Sequence, residues 1–407
     1  MRAEGQGRLI SAPASRTVVV AGAGIGGLTA AIALAERRFH VVVLEKAPEL
    51  EEAGAGIQLS PNASGILIRL GLEKFLSERV ITPDDIKIVS ARSGRPIVRI
   101  PLGTSAQARY GAPYWIVHRA DLQAALLARA RENPDIELRL GAPFEDTAVH
   151  ARGVTVVNRE ALERTSRQAL ALIGADGVWS NVRHQHFGGV QAIFSGHVAW
   201  RGTIDARQLP REFSQNRVTL WLGSGAHLVV YPMRGGALIN VVAIVASPWN
   251  RPGWNEAGDA GEIAAQFDRR RWSSPVRMII GAAGNWRKWA LFTVDGVPSA
   301  SGPVALLGDA GHAMLPFAAQ GAAMAIEDAA VLADCLARQP SNAAEAFREY
   351  AAQRQARIAQ VRRTTWQSGA IYHLPAPIAF ARNLTMRLLG GQRLLSQRDW
   401  LYDWRAA

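Results

Sequence analysis

Between Arg16 and Glu45 the chain reads RTVVVA, then GAGIGG, then LTAAIALAERR, then HVVVLE. A β-branched run predicts a strand. The glycines that follow predict a tight turn, the alanine- and leucine-rich segment a helix, and the second apolar run a strand closed by an acid. That order within about thirty residues is what a dinucleotide fold requires. Gly22 permits the turn, Gly24 lets the backbone approach a pyrophosphate, and Gly27 lets helix and strand pack closely. Ile25 and Gly26 lie between them at the helix start. Glu45, followed by Lys46, stands where a carboxylate accepts the hydroxyls of an adenosine ribose. The fold class expected is α/β.

A second stretch, Val304–Leu332, reads VALLGDAGHAMLPFAAQGAAMAIEDAAVL. A low-charge run this long raises the question of a membrane span. Gly308, Gly311, Pro316 and Gly321, with Asp309, His312 and Gln320 in the middle, suit a buried site segment better than a lipid-facing helix. The spacing predicts a short strand, a Gly-Asp end, a glycine-rich loop and a helix over Ala319–Leu336. An acid at a strand end can bind a ribose. Glycines before a helix leave backbone N–H groups free for a polar ligand. A third segment, ALALIGADGVWSNVR, again sets an acid and glycine (Asp176, Gly177) after an apolar strand, with Ser180 and Arg183 beyond. A dehydrogenase-type fold alone explains the first motif. One long cofactor bound across the chain explains all three.

The net charge of +12 over 407 residues raises nucleic-acid binding, but the cations are scattered arginines whose densest group is Arg269, Arg270 and Arg271. No basic block interleaved with stacking aromatics supports that reading. One cysteine, Cys335, excludes an internal disulfide and a cysteine-rich metal site, and reads as a core residue. No metal is expected. The first sixteen residues hold no apolar signal region and read as a frayed tail. The expectation is a soluble, cytoplasmic protein.

Elsewhere, Gly54–Asn62 reads as a glycine-rich loop, either a plain connection or backbone laid against a ring system. Asn62–Leu76 reads as one helix, and Ile81–Ile100 as a hairpin turning at Ser93-Gly94. Arg119 opens a helix against the dipole preference, which an anionic partner such as a pyrophosphate explains; a surface arginine is the plain alternative. Ile136–Ile173 holds short strands broken at Gly141, Gly153 and the polar run 159–167. Gly188–Leu291 reads as an antiparallel sheet with one face free to line a pocket, followed by a helical piece over Glu262–Arg271. A long helix from about Ala343 to His373 and a helical C-terminus ending in WLYDW complete the chain.

Together, GAGIGG, GADGVWSNVR and GDAGHAMLPFAAQGAAMAIEDA resemble the motifs of the single-component FAD-dependent aromatic hydroxylases, the para-hydroxybenzoate hydroxylase-like family. The resemblance runs from Thr17 to the WLYDW tail. It is greatest to the branch of salicylate hydroxylase, 3-hydroxybenzoate 6-hydroxylase and 6-hydroxynicotinate 3-monooxygenase. It implies a glutathione-reductase-type, Rossmann-like FAD-binding domain with an inserted antiparallel substrate sheet and C-terminal helices. In this division, residues 17–80, 113–187 and 292–342 form the FAD-binding part. Residues 81–112 and 188–291 form the substrate part, 343–407 the terminal helices and 1–16 the tail.

The resemblance further implies that Gly22, Gly24, Ile25, Gly26, Gly27, Glu45 and Lys46 hold the ADP half of FAD, and that Arg119 meets the pyrophosphate. Gly308 and Asp309 would bind the ribityl or pyrophosphate region. Gln320, Gly321 and Ala322 would lie beside the isoalloxazine, Gln58, Pro316 and Ala323 would also contact the cofactor, and Asp176 and Arg183 would serve both FAD and a nicotinamide nucleotide. The implied reaction reduces the flavin with NADH or NADPH and forms a C4a-hydroperoxide with dioxygen. That species hydroxylates a small phenolic or hydroxylated heteroaromatic acid, salicylate-like or hydroxynicotinate-like. Its partners are the small aromatic substrate and dioxygen, without nucleic acid or membrane; a homodimer is compatible.

A group that accepts the phenolic proton would assist. His227 is the candidate, because strand parity sets it on one face with residue 229 and Tyr231; the alternative is a hydrogen-bonded structural histidine. His312, beside Asp309, reads as cofactor-side or structural. Arg201 or Arg234 would meet a substrate carboxylate, with Tyr231 and Pro316 lining the pocket. Two departures stand out: Gly311 and Ala313 replace an alanine and a proline of the family's third motif, which alters loop stiffness and keeps the acid. Pro316 stands where the 3-hydroxybenzoate enzymes carry glutamine, which tilts away from that substrate. The competing readings are an epoxidase or tailoring hydroxylase for a larger natural product and a non-catalytic FAD- or NAD-binding module. A flavin halogenase would need a WxWxIP stretch, which is absent.

Overall fold

The computed structural model describes residues 16–50, 56–160, 163–253, 255–268 and 270–406. The expected tail, apart from Arg16, lies outside them. Strands and helices are numbered in chain order. The first sheet is built on β1 (Thr17–Ala21), with β2 (His40–Glu45) and β7 (Ile136–Leu140) to one side. On the other side lie β11 (Ala171–Gly174), β19 (Val304–Leu306) and β18 (Ala300–Ser301), giving the order β18-β19-β11-β1-β2-β7. All neighbours pair parallel except β18 with β19. Alternate residues of β1 and β2 face opposite layers, as strand parity demands. Val18, Val20, Val41 and Val43 pack on α1 (Ile25–Ala35), α5 (Arg119–Arg131) and α10 (Gly321–Arg338). Val19, Ala21, Val42 and Leu44 pack on a small antiparallel sheet of β8 (Phe144–His150), β9 (Gly153–Glu160) and β10 (Glu163–Ala169). Within the polar run 159–167, as expected, one strand gives way to the next: Arg159 and Glu160 close β9, and Glu163–Arg167 open β10 on the facing arm, with a solvated outer face.

The second sheet has eight strands in the order β16-β17-β12-β15-β14-β13-β4-β5. These are β4 (Asp85–Ser90), β5 (Pro96–Pro101), β12 (Ile193–Asp205), β13 (Arg217–Gly223), β14 (Ala226–Met233), β15 (Leu238–Ala246), β16 (Glu256–Ala257) and β17 (Gly284–Thr293). The expected antiparallel pattern holds except where β13 meets β4 in parallel, which joins the early hairpin to the later strands. One face buries Trp200, Trp221 and Trp286 with α7 (Ala260–Gln266) and α8 (Ser274–Ala282). The other looks toward the first sheet.

Several expectations change. Of the expected loop Gly54–Asn62, Gly54 and Ala55 lie outside the described residues, and the rest is not a plain loop, because Gly56–Leu59 forms β3, antiparallel to β6 (Trp115–His118). The Asn62–Leu76 helix is two, α2 (Pro61–Arg69) and α3 (Glu73–Leu76), divided at Gly71, whose φ of +77° suits glycine. The piece over Glu262–Arg271 stops at Gln266. There Phe267 turns into the core against Trp272, and the Asp268 carboxylate accepts the N–H groups of Arg270 and Arg271. Helix α8 was not expected at all.

The remaining helices are α4 (Gly103–Tyr110), α6 (Asn181–His186), α9 (Asp309–His312), α11 (Ala343–Tyr372), α12 (Ile378–Ser396) and α13 (Asp399–Tyr402). No described helix is long and apolar enough to cross a membrane.

Candidate active site

The glycines after β1 divide by what surrounds them. Gly22 has φ +109°, and a Cβ there would lie 2.4 Å from the Ala175 carbonyl oxygen. At Gly27 it would lie 1.9 Å from the Gly22 oxygen. Both are fixed by packing. Gly24 has nothing within 4 Å of where its Cβ would stand, and with Ile25 and Gly26 it borders a cavity of about 330 Å³. Glu45 ends β2 beside this turn, its carboxylate accepting the N–H groups of Ala23 (2.8 Å) and Ala47 (2.9 Å).

The same cavity reaches Arg119 at the start of α5, Gly308 and Asp309 after β19, and Gly321 and Ala322 at the start of α10. Gly321, like Gly24, opens on empty space. Asp309 has no hydrogen-bond partner among the described residues, and burial raises its carboxyl above the usual range, against the pull of His312 and Arg119. Two glycines without neighbours, a cation, an unpartnered acid and an 18-residue helix pointing its free N–H groups inward fit an extended, anionic dinucleotide cofactor.

A buried network holds this floor. The Asp328 carboxylate accepts from Gly308 N (2.9 Å) and bonds His312 (2.5 Å) and Arg354 (2.7 Å). Glu327 pairs with Arg354 (2.8 Å) and Arg357 (2.7 Å) and accepts from Asn62 (2.6 Å). His312 is thus a structural bridge. Gln320 lies within the same layer, donating to Ser60 (2.9 Å) and accepting from Asn62 (3.3 Å). Its side chain braces the α10 start rather than bordering the cavity, and Ala323 is core. The Asp176 carboxylate caps α6 through the N–H groups of Asn181 and Val182. Arg183 is a buried clamp, donating to the carbonyls of Val178, Val190 and Ala310. Lys46 and Arg183 are not among the cavity residues, whereas Gln58 is.

The far wall is the inner face of the second sheet. His227, Val229 and Tyr231 line it together, as strand parity required, beside Arg201 and Trp289. Burial keeps the Tyr231 phenol protonated far above its ordinary value, so it offers an O–H donor. Arg201 lies over the Trp289 ring at 4.1 Å from its centroid. Its Nε is buried with no hydrogen-bond partner, and no described carboxylate pairs with it. Burial brings this guanidinium down to about 10. Arg234 stands outside the cavity, 3.7 Å from Asp121, held away by the turn at the end of β14. Pro316 forms the opposite wall, on the 3-10 turn Pro316–Ala318.

The His227 ring has lost basicity chiefly through burial, with His373 and His197 acting the same way. It is neutral at pH 7. Its Nδ1 lies 2.8 Å from His373 Nε2, and its Nε2 has no partner among the described residues. In the sequence His373 marks only the end of a helix, because nothing there ties it to a residue 146 positions earlier.

A family model described as an FAD binding domain matches residues 15–365. The 3-hydroxybenzoate 6-hydroxylase of Polaromonas naphthalenivorans (strain CJ2) is 36% identical over 395 residues, covering 96% of this chain and 97% of that protein. The 3-amino-4-hydroxybenzoate 2-monooxygenase PtmB3 of Streptomyces platensis is 37% identical over 393 residues, 96% of each chain. Among solved structures, Klebsiella pneumoniae HpxO complexed with FAD and uric acid matches with a TM-score of 0.80 and 27% identity. That match covers 94% of this chain and 95% of the other.

Proposed function

The chain belongs to the FAD binding domain family of flavin monooxygenases, and from that footing we propose that it hydroxylates a small phenolic or hydroxylated heteroaromatic acid. It is an FAD-dependent monooxygenase, with NADH or NADPH as co-substrate. The observation that carries the substrate class is Arg201: a cation in the cavity wall, its Nε buried and unpartnered, with no carboxylate among the described residues paired with it. An unpaired buried charge is costly, and a carboxylate from the ligand relieves that cost. The two relatives named above act, by name, on hydroxybenzoates. A larger neutral substrate would leave Arg201 uncompensated.

FAD, when bound, supplies the chemistry of accepting two electrons and activating dioxygen. The residues that would hold it are Gly24, Arg119, Asp309, Gly321 and Ala322, with Glu45 at the adenosine end. Arg201 holds the substrate carboxylate. Its strand, β12, is separated from β14 by β15 alone, and Arg201 stands one side-chain row from His227 in register. Two strand spacings and one row come to roughly 10 Å and 7 Å, which the arginine side chain and a single aromatic ring can span. The phenolic oxygen then faces His227, whose unbonded Nε2 accepts its proton and leaves the ring electron-rich. Tyr231 donates to the oxygen so formed, and Val229, Val242 and Ile244 exclude water.

Arg201→Gln separates this reading from its competitors. Hydroxybenzoates should lose roughly a hundredfold in kcat/KM, the scale of an unpaired buried charge, mostly through KM. A phenol without a carboxylate should change less than threefold. Equal losses on both ligands would assign Arg201 to the fold and remove the argument for an acid.

A further inference from the structure

Beside the substrate cavity lies a second hollow, of about 710 Å³, whose lining includes His197, Arg362, Arg363, Trp366 and His373. Ala313 and Met314 border both spaces, so the segment from Ala313 to Phe317 is the partition between them. A polar link crosses it. His227 stands on the substrate side, His373 on the other, and their Nδ1 and Nε2 atoms are 2.8 Å apart. The two rings are packed by Phe317 and Tyr372, which hold their orientation.

We propose that His373 is the second station of a proton path that carries the phenolic proton from His227 through the partition into the neighbouring hollow. This rests on the reading of His227 as the group facing the phenol. In the outward step the substrate O–H bond breaks and its proton joins His227 Nε2. The Nδ1 proton of His227 passes to His373 Nε2, and His373 releases its own Nδ1 proton to water in the hollow. Both rings end neutral with their tautomers exchanged. After hydroxylation the same three transfers run backward, the phenolic oxygen regains a proton, and the rings are reset. No oxidant or net proton is consumed by the path.

The surroundings favour passage over storage. Both imidazoles are less basic than a free histidine, chiefly through burial, so a proton left on either is unstable and one passed along both leaves no buried charge. The charged and titratable neighbours of His373 are His227 on β14, His197 on β12, Tyr372 on its own helix and Arg382 on α12. The Arg382 guanidinium donates to the carbonyls of Ile371 and Tyr372. Asp295, Arg362 and Arg363 border the hollow, with Asp295 and Arg362 ion-paired. Among the described residues, no carboxylate pairs with His373 to trap the proton as an imidazolium.

A merely structural bond between the histidines predicts different behaviour. FAD-loaded protein without reductant would be mixed with 3-hydroxybenzoate or salicylate in a stopped flow, and the phenolate absorbance followed after a pH jump. In wild type, ionisation should be fast, with a solvent isotope effect curved in deuterium fraction, as two protons in flight require. His373→Phe, which keeps the ring but not the nitrogens, should slow ionisation at least tenfold and straighten the isotope plot. His373→Gln, which keeps a hydrogen bond to His227, should be equally slow. Imidazole should restore the rate in His373→Ala. Ionisation within twofold of wild type in both His373→Phe and His373→Gln would overturn the path, including where FAD or substrate affinity alone had fallen. A wild type that binds the acid but never ionises it would instead overturn the role of His227, and the path with it.

Discussion

Gly24 and Gly27 are three residues apart in one motif and answer to different forces. At Gly24 the backbone φ is −72°, which any residue adopts, and the space beside it is open. Alanine there should leave the apoprotein's melting temperature within about 2 °C, while FAD affinity falls at least tenfold because the methyl occupies ligand space. At Gly27 a methyl meets the Gly22 carbonyl, and overpacking of that kind costs about 1–3 kcal/mol. Gly27→Ala should therefore melt earlier even without cofactor. Thermal melts with and without FAD check both; a Gly24→Ala protein that binds FAD as well as wild type would remove that residue from the site. At this scale much was legible. The alternation of His227, Val229 and Tyr231 needed only strand parity, and the place of Glu45 at the end of β2 only the apolar run before it. Arg201 and Arg234 could not be ranked from sequence. Their difference is burial, which depends on which end of the sheet lies over the cavity.

Among the elements, α10 and α11 carry the floor of the site. Glu327, Asp328 and Arg354 are almost wholly buried and ion-paired through Arg354 Nε and Nη2, while its Nη1 is left without a partner among the described residues. Removing one partner of such a group leaves a charge in the interior, at a cost of about 3–5 kcal/mol. Arg354→Met should lower stability by that amount in denaturant melts and weaken FAD binding through the loosened Gly308. A loss below 1 kcal/mol would show that the network contributes little. The sequence marked both acids at the end of an apolar run but gave no sign that two arginines of the next helix would meet them. That pairing is set by how α11 crosses α10. The same limit hid β3, whose four residues gain strand character only from pairing with β6, and the parallel contact of β13 with β4.

For the whole molecule, buried neutral histidines tie stability to pH. His373 is brought down to about 4, chiefly by burial with His197 and Arg382 adding to it, whereas the unfolded chain titrates near its ordinary value of about 6.5. Below that value the unfolded state binds the extra proton. Stability is therefore complete above about pH 6.5 and falls toward pH 4, by about 1.4 kcal/mol per pH unit for this group. His227 acts in the same sense. Urea melts at pH 7.5 and 5 should show a shallower dependence in His373→Phe than in wild type, and equal slopes would contradict the assignment. The three-motif architecture was legible from end to end because its glycines and acids mark strand ends. The second hollow was not, because it is bounded by segments that meet only in the finished fold.

The proposed activity couples reduction of oxygen to hydroxylation of an aromatic acid. The most direct measurement is NADH and NADPH oxidation by FAD-loaded protein across monohydroxybenzoates, hydroxynicotinates and a non-phenolic control. Oxygen uptake, peroxide and hydroxylated product would be counted together. At least one phenolic acid should accelerate oxidation, with product equal to oxygen consumed and little peroxide. Acceleration matched by peroxide alone, or no response to any acid in the panel, would contradict it.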